Sequence, residues 1–392
     1  MDYRFTDNQE KFRTEIRSFL KQELTADKEQ GEEVDSDADW TFARAFAKKL
    51  AAKGWLVPHW PKQYGGMDMG IMDQVIMKEE LAYSRAPMTD FFGINMLGPV
   101  LMMYGTDEQK KQHLPGIASA DVQWSQGYSE PGSGSDLASL QTKAVRDGDD
   151  YVVNGQKIWN SYAHRADWMF LLARTDPEAP KHKGITFFLT PTSAPGFSTR
   201  PLVNLAGVHM FNETFFEDLR IPKQNIVGEE NRGWYVGAAL LDFERSGIGN
   251  SALARRSLDD LVAYVRESGN GDVAASERRN TRNLLAELII ESEVGRYLSY
   301  RVASIQARGE VPNAESSQAK VYLSELAHRV YNAGVKVMGL YGAIRPESEK
   351  RAVLKGAFGM GYMTSLGGMI AGGTSEIQRN IIAQRGLGLQ RG

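Results

Sequence analysis

Residues 127–139 read GYSEPGSGSDLAS. Glycine and serine at this density normally mark a flexible linker. Here the run also carries Glu130-Pro131 and Asp136, and it is set between segments rich in aromatic and β-branched residues. WSQGYSE (124–130), YVVNGQKIW (151–159), WMFLLART (168–175), GITFFLTP (184–191) and ETFFEDLRI (213–221) are short and separated by turn residues. Asp147-Gly148 and Asn154-Gly155 are hairpin signals. The stretch therefore opens a β domain, expected over 121–228 and antiparallel.

On either side the periodicity is that of helices. Upstream, Thr6 with Gln9 has the spacing of a capping box, followed by Phe12, Ile16, Phe19 and Leu20 at intervals of one to four. Phe42, Phe46 and Leu50 repeat the pattern until Gly54 offers a C-cap. Thr106 with Gln109 starts another helix, expected to end near Leu114-Pro115. Downstream, runs over 233–266, 275–308 and 314–338 predict antiparallel helices. The expected organisation is a helical domain over 1–120, the β domain over 121–228 and a helical bundle over 229–392. Helix, sheet and helix in three blocks make an α+β chain, not an alternating βαβ one.

Composition narrows the function. The chain has 392 residues, 42% hydrophobic and 24% charged, with formal net charge −3. It shows no basic stripe, which argues against nucleic acid or an anionic membrane as partner. No run of eighteen apolar residues predicts a membrane span. Cysteine is absent, so disulfides and thiolate metal sites are excluded. The start, MDYRFTDNQEKFRTEIRSFL, lacks an apolar leader core, and a cytoplasmic location is expected. The acidic cluster over 29–39 reads as a solvated loop.

Several chemistries fail on inspection. GYSEP lacks the last glycine of a nucleophile elbow. Asp35, Asp37 and Asp39 resemble a calcium loop, but Trp40 and Phe46 stand where glycine and glutamate are required. GSGSDL (132–137) has leucine in place of the last glycine of a dinucleotide fingerprint. His59, His113, His164, His182, His209 and His328 lack metal-ligand spacing, so no metal is expected. Two further stretches are more informative. GQKIWNSYAHRADW (155–168) places Trp159 and Ser161 two residues apart, and equal strand parity would set both on one side of the sheet. IAGGTSEIQR (370–379) interrupts an apolar helical run with two glycines before a helix restart, where N–H groups favour anions.

With these residues the sequence resembles the acyl-CoA dehydrogenase family along essentially its whole length. Glu130, Gly134, Ser135 and Asp136 match the family's first signature. The resemblance implies a helical domain, a middle antiparallel β-barrel and a C-terminal four-helix bundle. It implies FAD as cofactor, with Gln126, Tyr128 and Ser129 along the flavin edge and Trp159 over one face. Ser161 would contact N5, and Ser135, Thr374 and Glu376 would join the cofactor site, with Gly373-Thr374 near the pyrophosphate. The family's glycine-rich interface signature corresponds to KVMGLYGAIRP (336–346), where Gly339 is kept but Lys336 and Leu340 depart from it. Arg282, or Arg279, would take the place of the arginine that reaches the neighbouring subunit's FAD.

The implied reaction is α,β-dehydrogenation of an acyl-CoA thioester to the trans-2-enoyl product, within fatty acid metabolism, with electrons passed to an electron-transfer flavoprotein. The family's commoner base position, just before the Gly-Thr of the terminal turn, holds Gly372. DFERSG (242–247) matches a second family placement, used in isovaleryl- and long-chain-type members, and makes Glu244 the expected base. Its neighbours three and four residues away are Leu240, Leu241, Gly247 and Ile248, so no intrahelical cation pairs with it. Gly372 is then expected to donate its N–H to the thioester carbonyl. Small residues at Ala371, Gly372, Gly247 and Gly249 predict a pocket for branched, cyclic or bulky acyl groups. Expected assemblies are a homodimer or homotetramer, or a heteromer with a related subunit. A flavin-dependent monooxygenase on the same fold and a non-catalytic subunit of a heteromeric dehydrogenase are the alternatives.

Overall fold

Local capping chemistry starts the helices. In the computed structural model, which describes residues 4–24, 36–87, 90–240, 247–268, 275–348 and 350–390, Thr6 Oγ1 accepts from the Gln9 N–H at 3.3 Å. Gln9 Oε1 accepts from the Thr6 N–H at 3.0 Å. Thr106 and Gln109 repeat the exchange at 3.2 and 3.1 Å. Ser36 and Asp39 form a third such box. Most of the acidic cluster, and Asp35 with it, lies outside the described residues.

The helices that follow are α1 (Asp7–Glu23), α2 (Asp37–Ala52), α3 (Ile71–Tyr83), α4 (Gly98–Tyr104) and α5 (Asp107–Ala118). The strands are β1 (Trp124–Gly127), β2 (Lys143–Asp147), β3 (Asp150–Lys157), β4 (Trp168–Arg174), β5 (Ile185–Pro191), β6 (Phe197–Leu202) and β7 (Phe211–Pro222). Helices resume with α6 (Gly233–Leu240), α7 (Ile248–Glu267), α8 (Ala275–Ala307), α9 (Asn313–Met338), α10 (Ala357–Gly368) and α11 (Ser375–Ile381). Among the described residues no helix is long and apolar enough to cross a membrane.

Two local expectations are corrected. Pro115 does not end α5, because a proline in the last turn removes only one helical bond. The helix runs on to Ala118, where the Ser119 N–H reaches the Pro115 carbonyl at 3.0 Å. Asp147-Gly148 is a hairpin turn between β2 and β3, whereas Asn154-Gly155 is not. Gly155 sits inside β3 at a register shift against β7, so the glycine serves a bulge.

The chain forms two compact units. One comprises Glu32–Met69 and Pro87–Glu244, the other Met1–Gly31, Gly70–Ala86 and Arg245–Gly392. The first is built on a curled seven-stranded sheet in the order β1-β4-β2-β3-β7-β6, with β5 on β4. The pairs β2–β3, β3–β7, β4–β5 and β6–β7 are antiparallel. The expected purely antiparallel sheet is corrected at β4: β1 and β2 each lie parallel to it, because the chain between them and β4 makes a crossover rather than a direct hairpin. Helices cover one face: Phe170 and Leu172 of β4 share a core with Trp60, Leu97, Val100, Leu114, Ile117 and Val236. Met169, Leu171 and Ala173 face the other way, into a core with Val153, Phe188, Phe216 and Leu219. Burial on both sides explains why WMFLLAR is almost continuously apolar.

The second unit is helical. Leu258 and Leu261 of α7, Leu285 and Leu288 of α8, Leu323, Leu326 and Val330 of α9, and Phe358 of α10 form its core. The α1 and α3 helices join this unit through charge. Arg13 donates to Glu79 at 2.8 Å and to Glu80 at 2.7 Å. Glu79 also accepts from Arg296 at 2.6 Å and from the Tyr300 hydroxyl at 3.0 Å.

Candidate functional site

The signature stretch is held from within by a buried ion pair. Lys157, fully buried at the end of β3, donates from Nζ to Glu130 Oε1 at 2.8 Å and to the Tyr128 carbonyl at 2.9 Å. Glu130 also accepts from the N–H groups of Gln141 at 2.6 Å and Thr142 at 2.9 Å. Burial alone would raise the Glu130 carboxyl; Lys157 and these N–H donors hold it below the ordinary glutamate range. Burial pushes Lys157 down to about 8 against the pull of Glu130.

This anchor sets the path of Gln126, Tyr128 and Ser129. Gln126 lies in β1, which ends the sheet path and pairs with β4 among the described strands, and Tyr128 and Ser129 follow its last residue, Gly127. The Tyr128 side chain turns into the core, where its ring meets Phe170 at 5.8 Å and its hydroxyl donates to the Gly237 carbonyl at 3.4 Å. The Tyr128 hydroxyl is therefore turned away from the strand end, and its carbonyl is taken by Lys157. The Ser129 carbonyl accepts from the Ile158 N–H at 2.9 Å. Ser135 stands exposed on the loop that follows, beside Asp136, which pairs with Lys181.

Trp159 and Ser161 lie beyond the end of β3, in its connection to β4, so the expected strand parity does not apply. The physical reason is a backbone reversal: Trp159 has φ +63° and Tyr162 φ +52°, outside the extended region. Trp159 is nevertheless 57% exposed, with its ring set edge-on to Phe211 at 5.9 Å. The Ser161 carbonyl accepts from Ser125 Oγ at 3.0 Å, which ties the loop back to β1. Within this unit the structure thus gathers Gln126, Tyr128, Ser129, Trp159 and Ser161 around one strand end. It sets the main chain of 126–129 beside a largely exposed aromatic ring, a combination suited to a flat heteroaromatic ligand.

In the helical unit, Gly372 and Gly373 have φ of +64° and +87°. Their carbonyls are taken from behind by Gln378 Nε2 at 2.8 Å and Lys320 Nζ at 2.7 Å. Peptide planarity sends the N–H groups of Gly373 and Thr374 the opposite way. Thr374 caps α11, its Oγ1 accepting from the Ile377 N–H at 3.2 Å. Glu376 is exposed in the first turn, held below the ordinary glutamate range by its own backbone N–H and the Thr374 hydroxyl. Gly339 ends α9 with φ +58° and ψ −134°, a glycine conformation, and Arg282 is exposed on α8. Glu244 and Arg245 lie outside the described residues. Sequence reading passed over Lys157, Asn160, Asn212, Lys320 and Gln378. None of these left a signal: even Lys157, within a strand segment, follows Asn154, Gly155 and Gln156 and reads as part of a polar strand end.

Family models for the acyl-CoA dehydrogenase N-terminal, middle and C-terminal domains match residues 6–121, 125–219 and 231–387. The chain is 38% identical to the acyl-CoA dehydrogenase FadE26 of Mycobacterium tuberculosis, over 99% of this chain and 98% of that one. Among solved structures it resembles the "Tcur3481-Tcur3483 steroid ACAD", at 37% identity and a TM-score of 0.90 over the full length of both chains. The ChsE4-ChsE5 complex from Mycobacterium tuberculosis gives the same identity, TM-score and coverage. Three consecutive domain matches in order, with full-length relatives above 30% identity, establish that this chain belongs to the acyl-CoA dehydrogenase family.

Proposed function

We propose that the chain is a FAD-dependent dehydrogenase of bulky, ring-bearing acyl-CoA thioesters, with Glu244 as the base. The observation that carries the cofactor assignment is Trp159. A tryptophan 57% exposed in a left-handed backbone conformation gains little from folding alone. A flat ring system stacked on it would repay both costs, and the β1 end supplies edge partners. Bound FAD would accept the hydride that leaves the substrate β-carbon. The glycine turn, with N–H groups of Gly373 and Thr374 aimed away from Lys320 and Gln378, fits the negative charge of a pyrophosphate.

Glu244 takes the proton from the α-carbon as the β-hydrogen departs, and the double bond forms between the two carbons. An N–H at Gly372 polarises the thioester carbonyl, so that the α-proton becomes acidic enough for a carboxylate. Among the described residues, and apart from its chain neighbours, Gly372 has no atom within 4 Å of where a Cβ would stand, so none of them fills the commoner base position. That supports a wide acyl group, and so does full-length similarity to a solved protein described as a steroid ACAD. Electrons pass on to an electron-transfer flavoprotein. Two of the similar structures carry the names of two subunits each, which supports assembly with a related chain.

The test is Glu244→Gln. Removing a positioned base costs about 10²–10⁴-fold in rate. The variant should keep its yellow FAD and bind an enoyl-CoA product, while anaerobic bleaching of the flavin by a ring-bearing acyl-CoA nearly stops. Bleaching at the parent rate would place the base elsewhere. Faster bleaching of the parent by straight-chain acyl-CoA would refute the substrate class.

A further inference from the structure

The loop that carries Trp159 needs support, because its backbone conformation is unfavourable for a bulky residue and its side chain is largely bare. The support comes from two asparagines. Asn212, on β7 and with no exposed surface, exchanges two hydrogen bonds with Asn160. The Asn160 N–H donates to the Asn212 carbonyl at 3.0 Å, and Asn212 Nδ2 donates to the Asn160 carbonyl at 3.0 Å. Asn160, 1% exposed, sends its own Nδ2 to the Gln126 carbonyl at 2.7 Å. A second rung, Tyr162 N–H to Met210 carbonyl at 2.8 Å, continues the junction.

The amide of Asn212 is itself oriented. His164 and His209 stack at 4.0 Å between ring centroids. Asn212 Nδ2 lies 3.0 Å from His164 Nδ1 and Asn212 Oδ1 lies 3.0 Å from His209 Nε2. One assignment satisfies every contact: Nδ2 donates to the Asn160 carbonyl and His164 Nδ1, and Oδ1 accepts from His209 Nε2. The chain of contacts runs from the histidine pair through Asn212 and Asn160 to Gln126. It therefore joins the aromatic face at Trp159 to the main-chain groups at the β1 end.

We propose that Asn212 and Asn160 are positioning residues that set Trp159 and the Gln126 carbonyl in one fixed relation for a bound flavin. The role rests on the FAD reading given above. Neither side chain does chemistry; each acts through the group it holds. Loss of either should let Trp159 relax, so that the flavin binds less tightly and its fluorescence is less quenched.

The test compares Asn212→Ala, Asn160→Ala, the double variant and Trp159→Phe, with Asn212→Asp as a near-isosteric variant that keeps the Oδ1 contact to His209. Each apoprotein is titrated with FAD, and the bound flavin is examined by absorption and fluorescence. In apoproteins, the Trp159 emission is taken as the difference between each protein and the same protein carrying Trp159→Phe. The single alanine variants should each weaken FAD by about tenfold, since each removes one hydrogen bond of the chain that runs to Gln126: Asn160→Ala its bond to the Gln126 carbonyl, Asn212→Ala its bond to the Asn160 carbonyl, along with its two histidine contacts. Bound-flavin fluorescence should rise toward that of Trp159→Phe, and the apoprotein Trp159 emission should shift to the red. The double variant should be no worse than the poorer single one, because both cut one chain. A merely structural role would lower the melting temperature and leave bound-flavin fluorescence and Trp159 emission as in the parent; that result overturns the proposal. If Trp159→Phe itself leaves FAD affinity and flavin fluorescence unchanged, the placement of flavin at Trp159 fails, not the clamp alone. If the alanine variants do not fold, Asn212→Asp decides: parental flavin fluorescence in it refutes the clamp.

Discussion

His113 shows how one residue's environment sets a measurable property. Its ring lies edge-on to Trp124 at 5.2 Å and to Trp168 at 4.9 Å between centroids. Burial pushes its pKa down to about 4, against about 6.5 in an unfolded chain. Above pH 6.5 both states are neutral and the histidine costs nothing. Between pH 6.5 and 4 the unfolded chain binds a proton that the folded one refuses, so stability falls by up to about 1.4 kcal/mol per pH unit. The urea midpoint should therefore drop between pH 7 and pH 5. His113→Phe, which keeps an aromatic ring against both tryptophans, should make that drop shallower; an equal drop in the variant would show that His113 is not its source. At Gly372 the constraint is conformational. The described residues leave room for a side chain, but φ of +64° costs one roughly 1 kcal/mol or more, so moving the carboxylate there is unobstructed by them and conformationally strained.

At the scale of elements, α9 does more than complete the helical core. Lys320 reaches from its half-buried flank to the Gly373 carbonyl. Burial lowers the lysine, with Glu376 and Glu325 opposing, so it holds the turn against a desolvation cost. Lys320→Met should keep the helical content but release the turn. FAD retained per chain after gel filtration should fall, and Lys320→Arg should recover part of it. Full retention in the methionine variant would show that the turn is held without the lysine. The β3 bulge at Gly155 belongs to the same scale, since a glycine inside a strand and one in a hairpin look alike until the partner strand is known.

At the scale of the whole molecule, the prediction concerns assembly. The proposed assembly with a related chain draws on similar solved structures whose names pair two proteins, and on Lys336 and Leu340, which depart from the interface signature that the family resemblance implies. Co-expression with a related acyl-CoA dehydrogenase subunit should yield a larger complex by native mass, with more FAD per chain than the protein made alone. A homo-oligomer that is fully loaded with FAD by itself would exclude the need for a partner. The compact units do not follow chain order either, since α1 and α3 group with the C-terminal helices. Glu79 joins Arg13 and Arg296 across 66 and 217 residues of sequence, and no local pattern announces such a contact.

What the amino-acid sequence determined by itself was whatever depends on neighbours three or four residues apart, or on a motif that a family preserves as a string. The capping boxes at Thr6 and Thr106, the turn at Asp147-Gly148, the three blocks of periodicity and the match at 127–139 are of this kind. Their interactions close within one turn of chain, so residue order alone specifies them. Tertiary structure decided the parallel placement of β1, the reversal at Trp159 and the inward turn of Tyr128. It also decided which residues hold the candidate site: Lys157 for Glu130 across 27 residues, Asn212 for Asn160 across 52 and Lys320 for Gly373 across 53. Those partners meet only after a sheet has paired or helices have packed, and a hydrogen bond between distant residues leaves no periodicity in the chain to be read.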